Sequence, residues 1–420
     1  MKIDWIKPLI GNPGPFATVF LDVTRSAEAT DRELTSRWRV VRRDLSHQGA
    51  PDAVLDAVEE VALRPTSKPG TRGRVIVADA GGILVDKALA TAPTVASGIW
   101  HPVPALLQAA LAAEAEVSAL RVCVDRTGAD LHLTGPHAWA GPMAIDAPHD
   151  DVSKVAAGGS SRGGGTGGGG AGGGDRGGSS TVEARAEDSL RRNAEHFARE
   201  IERIATAEKV EIVLLSGSTR MANTIRDEWG PTMNAITVEV AGGRRGAGVK
   251  EGPFEEHVEA ALDAYRERRR EAVLAEFREG QGRGHGAVTG LADTVDVLAR
   301  GQVKALVLAE DVGYDGALSV GSDGARGPLR GHSLWVGPDP LAIAVSRETL
   351  ADAGWTQGVE ELPAAIALVR AAVGQDATLT FAEEGVVALT EGVGATLRWH
   401  DGSTPAELAA TMSRDKDLMR

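Results

Sequence analysis

The chain has 420 residues, 42% of them apolar, so it can bury cores and has room for two to four domains. Its 45 basic and 59 acidic side chains give a net charge of −14, unlike the basic balance of a freely scanning nucleic-acid binder. One cysteine, Cys123, excludes an intramolecular disulfide framework and a cysteine-based zinc or iron–sulfur centre, and no apolar run nears the ~18 residues of a membrane helix.

In chain order, residues 17–22 read as a strand, residues 29–45 and 51–63 as helices, and residues 74–78 and 83–85 as a hairpin around Gly81-Gly82. A second hairpin joins residues 120–125 to 131–134 through a turn at 126–130. Between Gly158 and Gly178, 14 of 21 residues are glycine, which reads as an interdomain linker or as a long mobile loop within one domain. Ser180-Thr-Val-Glu183 is a capping box, and Leu190, Ala194, Phe197, Ile201 and Ile204 mark one face of the helix it is expected to open. Residues 210–215 form a buried strand ending at Ser216-Gly217, residues 235–240 another strand, and Phe254, Val258, Leu262 and Tyr265 one face of a second long helix. A further α/β segment has helices at 291–300 and 363–373 and strands at 303–308, 378–381, 386–389 and 395–399. The fold class is α/β, as three consecutive α/β domains over 1–117, 118–280 and 281–420.

No segment carries a hydrolase nucleophile elbow: Ser216-Gly-Ser-Thr-Arg220 lacks the second glycine and reads as a strand-to-helix turn. Gly246-Ala-Gly-Val-Lys250 fails the ending of a phosphate loop, and Gly282-Arg-Gly-His-Gly286 is an anion cradle or a hinge. The ten histidines show no metal-ligand spacing, so no metal and no cofactor are expected. The candidate RNA contacts are arginines. Arg39, Arg42 and Arg43 share one face of the first helix. Arg162 and Arg176 are the cations of the glycine-rich segment, where Gly163, Gly164, Gly165, Gly177 and Gly178 leave the backbone open to close approach. Arg244, Arg245 and the cluster Arg266, Arg268, Arg269 and Arg270 read equally as solvated faces paired with glutamates. Residues 301–420 hold 9 basic and 17 acidic side chains, which suits a protein surface better than RNA.

The order of parts over residues 118–310 resembles the middle domain, and the start of the third, of the archaeo-eukaryotic release factor and Pelota superfamily. The resemblance rests on the hairpin, the glycine-rich loop, the Arg-rich helix, the strand closing on Ser216-Gly-Ser and the run Gly290-Leu-Ala-Asp-Thr-Val295. Gly392-Val-Gly-Ala-Thr-Leu-Arg-Trp399 is similar to the superfamily's closing strand, and Gly14–Asp22 with Trp38-Arg39…Arg42 resembles its bacterial, Balon-like branch. The resemblance implies a tRNA-mimicking, three-domain protein of the cytoplasm, monomeric off the ribosome. It would bind the A site of the 70S ribosome, touching 16S and 23S rRNA, with elongation factor Tu or another translational GTPase as protein partner. Release factors carry Gly-Gly-Gln at the loop tip, whereas residues 158–178 contain no glutamine. The expectation is therefore a non-enzymatic ribosome hibernation factor. A Pelota-like rescue factor and a small-molecule-binding α/β enzyme are the alternatives.

Overall fold

A computed structural model describes residues 9, 14–24, 31–64, 73–89, 92–93, 96–105, 107, 110, 114, 116–135, 138–139, 141–148, 177–245, 251–310, 329 and 331–405. The fold is mixed α/β. Contacts gather it into two compact units, residues 1–116 with 267–420 and residues 117–266.

The first unit begins with β1 (Phe16–Asp22), α1 (Asp31–His47), α2 (Asp52–Ala62), β2 (Gly73–Asp79), β3 (Gly82–Leu89) and β4 (Ser97–His101). The strands form an antiparallel sheet ordered β3-β2-β1-β4. Strand alternation sorts β1 to two sides. Ala17, Val19 and Leu21 pack with Trp38, Val41 and Leu45 of α1 and Val54, Leu55 and Val58 of α2. Phe16 and Phe20 join Val75, Val77 and Ile99 in a second cluster, shared with residues of the chain's last third.

The second unit holds β5 (Ala119–Val124), β6 (Gly128–Thr134), β7 (Met143–Asp146), α3 (Gly177–Ala207), β8 (Ile212–Gly217), α4 (Thr219–Glu228), α5 (Pro231–Ile236) and β9 (Thr237–Glu239). Its sheet is ordered β7-β6-β5-β8-β9. The expected hairpin, β5–β6, pairs with the rest of the unit through a parallel β5–β8 ladder. Phe197, Ile201 and Ile204 of α3 and Met221 and Ile225 of α4 cover one sheet face. Val258 and Leu262 of α6 (Glu251–Arg283) cover the other.

Helix α6 continues from the second unit into the first, which is completed by β10 (Ala287–Thr289), α7 (Leu291–Ala299), β11 (Val303–Ala309), β12 (Ser333–Val336), β13 (Ile343–Ala344), α8 (Arg347–Asp352), β14 (Glu360–Pro363), α9 (Ala364–Gly374), β15 (Thr378–Ala382) and β16 (Val393–Leu397). The strands make two sheets, β10-β16-β11-β15 and β13-β12-β14. Helix α9 is buried from Ala364 to Val373, which its near-continuous apolar sequence dictates.

Several sequence expectations are corrected. The helix assigned to the Ser180 capping box begins at Gly177, three residues earlier, since glycine costs a helix only about 1 kcal/mol per residue relative to alanine. The strand expected at 235–240 shrinks to Thr237–Glu239 because Pro231, at the first helical position, starts a short helix through Ile236. Residues 386–389 are not a strand: Gly385 turns the chain with φ +83°, and Val387 and Leu389 pack as single side chains against the Leu274–Phe277 cluster. The last strand ends at Leu397, leaving Trp399 47% exposed.

Candidate nucleic-acid interface

Helix α1 positions the arginines of the first unit. Its inner side is fixed by buried Trp38, Val41 and Leu45. The Trp38 indole N–H donates to Glu59 Oε2 at 2.9 Å, and Arg42 Nη1 donates to the same oxygen at 2.8 Å. Arg42 Nη2 reaches Asp56 Oδ1 at 2.7 Å. Arg42 therefore ties α1 to α2. Arg39 and Arg43 are exposed, Arg43 lying 3.7 Å from Asp44. Arg37 turns to the end of β1, donating to the Asp22 carbonyl at 3.0 Å with the Asp22 carboxylate 3.5 Å away. The three arginines expected to act together thus divide into one strut, Arg42, and two exposed cations, Arg39 and Arg43.

Of the glycine-rich segment, Arg162, Gly163, Gly164, Gly165 and Arg176 lie outside the described residues, and Gly177 and Gly178 open the first turn of α3. Gly246–Lys250 also lies outside them.

Around the second unit's sheet, Arg245 is bound. Its guanidinium donates to Asp130 at 3.0 Å and to Asp125 and Thr127 at 3.1 Å, closing the loop after β9 over the β5–β6 turn. A Cβ at Gly128 would meet that guanidinium at 2.3 Å, so the turn has no side chain there. Burial pushes the Asp125 carboxyl up, but hydrogen bonds from Thr127 and Arg245 outweigh it and hold the group below its ordinary range. Arg244 is exposed. Ser216 is buried, its Oγ donating to the Val122 carbonyl at 3.0 Å, and Ser218 caps α4, as a strand-to-helix turn requires. Gly217 makes that turn with φ +107°, and a Cβ there would sit 2.1 Å from the Val124 carbonyl oxygen.

The later arginines are structural where their bonds are described. Arg269 donates to the carbonyl oxygens of Glu114 and Glu116, and Arg270 faces Glu310 at 3.3 Å. Burial pushes the Glu114 carboxyl above its ordinary range, against the pull of Arg270, a Phe381 N–H bond and Arg269. The Gly282–Gly286 turn does not open α7, because β10 intervenes; the first amide of α7, Leu291 N–H, donates to Glu391 at 2.8 Å. Among the described residues no three His, Cys, Asp or Glu side chains are grouped to hold a metal, and no helix is long and apolar enough to cross a membrane.

Sequence reasoning missed Asp56 and Glu59 as the partners of Arg42; their i, i+3 spacing on α2 was the available signal. It also missed Arg74, 6% exposed, whose bidentate bond to Asp86 at 2.7 Å crosses the β2–β3 hairpin.

The second unit thus combines a mixed sheet, helices on both faces and a glycine-rich sequence between β7 and α3. Residues 118–283 match the sequence model of bacterial archaeo-eukaryotic release factor family 2, and over that segment the chain is similar to that family. Two uncharacterized proteins of Mycobacterium tuberculosis, MT2704 of strain CDC 1551 and Rv2629 of strain H37Rv, are each 26% identical over 408 residues, 95% of this chain and 97% of theirs. Among solved structures, an archaeal translation termination factor aligns over 94% of this chain and 96% of its own at 12% identity, TM-score 0.21. Saccharomyces cerevisiae Dom34, a translation termination-like factor, aligns over 71% and 68% at 11% identity, TM-score 0.36.

Proposed function

We propose that this protein binds the ribosomal A site and holds the ribosome inactive during stress or dormancy, without releasing the nascent peptide. One observation carries the reading. The release-factor match spans the stretch from which release factors extend Gly-Gly-Gln, and here that stretch, residues 158–178, has 14 glycines and no glutamine. Its backbone can enter a narrow site, but it lacks the glutamine amide with which the Gly-Gly-Gln tip positions the hydrolytic water. In this reading Arg162 and Arg176 meet 23S rRNA phosphates, α1 faces 16S rRNA, and residues 301–420 face a translational GTPase such as elongation factor Tu. The protein works in the cytoplasm, is monomeric off the ribosome and catalyses nothing.

The test is co-sedimentation of the full chain with 70S ribosomes from growing and starved cells, with peptidyl-tRNA hydrolysis and subunit splitting assayed in parallel. Binding to intact particles, blocked peptide-bond formation and no hydrolysis are the expected results. Hydrolysis above a no-protein control overturns the reading, and GTPase-dependent splitting replaces hibernation with rescue.

A further inference from the structure

At 100° per residue, the side of α1 opposite buried Trp38, Val41 and Leu45 runs through Arg32, Ser36, Arg39, Val40, Arg43 and His47. All six are exposed. Of the helix's three acidic residues, Glu33 and Asp44 fall on one flank beside Arg37, and Asp31, its first residue, falls by spacing well away from the outward side. Arg42 falls on the other flank, where Asp56 and Glu59 hold it. The outward strip is left with three guanidinium groups, one histidine and no carboxylate. At 1.5 Å per residue, Arg32 to Arg43 covers about 17 Å. Among the described residues neither Arg32 nor Arg39 has a side-chain partner, and exposed Arg43 has only Asp44, 3.7 Å away.

We propose that Arg32, Arg39 and Arg43 form a phosphate-contacting strip that lies on an RNA backbone, and that Arg42 takes no part in the contact. The proposal rests on the ribosome-binding reading and names its contact surface in the first unit. Charge complementarity commits the strip to a polyanion. Its chemistry favours RNA over an acidic protein surface: all three cations are arginines, whose planar forks match phosphate oxygens. Val40, 49% exposed, is the strip's single apolar side chain, too little for the dry apolar centre of a protein interface.

The test compares the full chain with the triple variant Arg32→Ala/Arg39→Ala/Arg43→Ala and with Arg42→Ala. Binding to 70S ribosomes and to deproteinised 16S rRNA is measured from 50 to 200 mM salt, with thermal unfolding as the fold control. Three lost phosphate contacts lower the salt slope by about 2 to 3, so over that range the wild type should lose about 20- to 40-fold more affinity than the triple variant. Arg42→Ala should unfold at lower temperature with the wild-type slope. An unchanged slope in a folded triple variant overturns the strip while ribosome binding stands. Loss of ribosome binding with unchanged rRNA binding also overturns it, by pointing to a ribosomal protein. Strip-dependent rRNA binding without ribosome binding keeps the strip and removes the ribosome reading; binding to neither removes both.

Discussion

Single side chains divide into those that hold the fold and those that face outward. Arg42 and Arg39, three residues apart on one helix, are the sharpest contrast. Because Asp56 and Glu59 remain partly solvated, Arg42→Ala should cost about 0.5–1 kcal/mol in denaturant unfolding, and Arg39→Ala less than about 0.5 kcal/mol. Glu114 makes a pH-dependent prediction. Its folded pKa is raised by burial, so the folded state holds the proton more tightly than the unfolded state does. Its contribution is most favourable below the ordinary value of 4.5 and is lost as pH rises from there through the folded value. Glu114→Gln should remove that loss, so stability relative to wild type should rise across this window in urea titrations at stepped pH. A difference independent of pH would show that Glu114 ionises freely.

Elements were legible where their signal was local. The 3.6-residue spacing of α1, α3 and α6 and the period of the β2–β3 and β5–β6 hairpins carry enough apolar side chains to be read without partners. Strands of two to four residues, such as β10, β12, β13 and β14, offer too few alternations and owe their conformation to the sheets that receive them. The candidate site was half legible. An arginine's place on a helix face follows from spacing, but that Arg42 is taken by α2 follows from a packing contact between two helices. One such close contact is testable. A Cβ at Gly394 of β16 would lie 2.7 Å from the Phe277 ring of α6 and 2.8 Å from the Val288 carbonyl oxygen. Gly394→Val should therefore cost about 1–3 kcal/mol or more in thermal or urea unfolding, by forcing α6 off the sheet. A neutral result would mean the helix end yields freely.

At the scale of the whole molecule, the first unit is built from both ends of the chain and the second from one continuous stretch. Residues 117–266 produced alone should unfold cooperatively, since both faces of their sheet are covered from within by α3, α4 and the first half of α6. Residues 1–116 alone should bind a hydrophobic dye, because Phe16, Phe20, Val75 and Val77 share their buried cluster with Val288, Leu306 and Leu368. A dye-silent, cooperatively folded 1–116 fragment would contradict this. The discontinuity also orders the protein's own birth. During translation the first sheet emerges early, yet the last strand that completes its cluster is some 280 residues behind, a delay of roughly 15 to 60 s at ordinary elongation rates. The later-starting unit closes first, and the earliest-made strands wait with an apolar face uncovered. A chaperone that captures nascent chains should therefore be found on this protein between its 116th residue and its release, and stalling synthesis in that interval should favour aggregation.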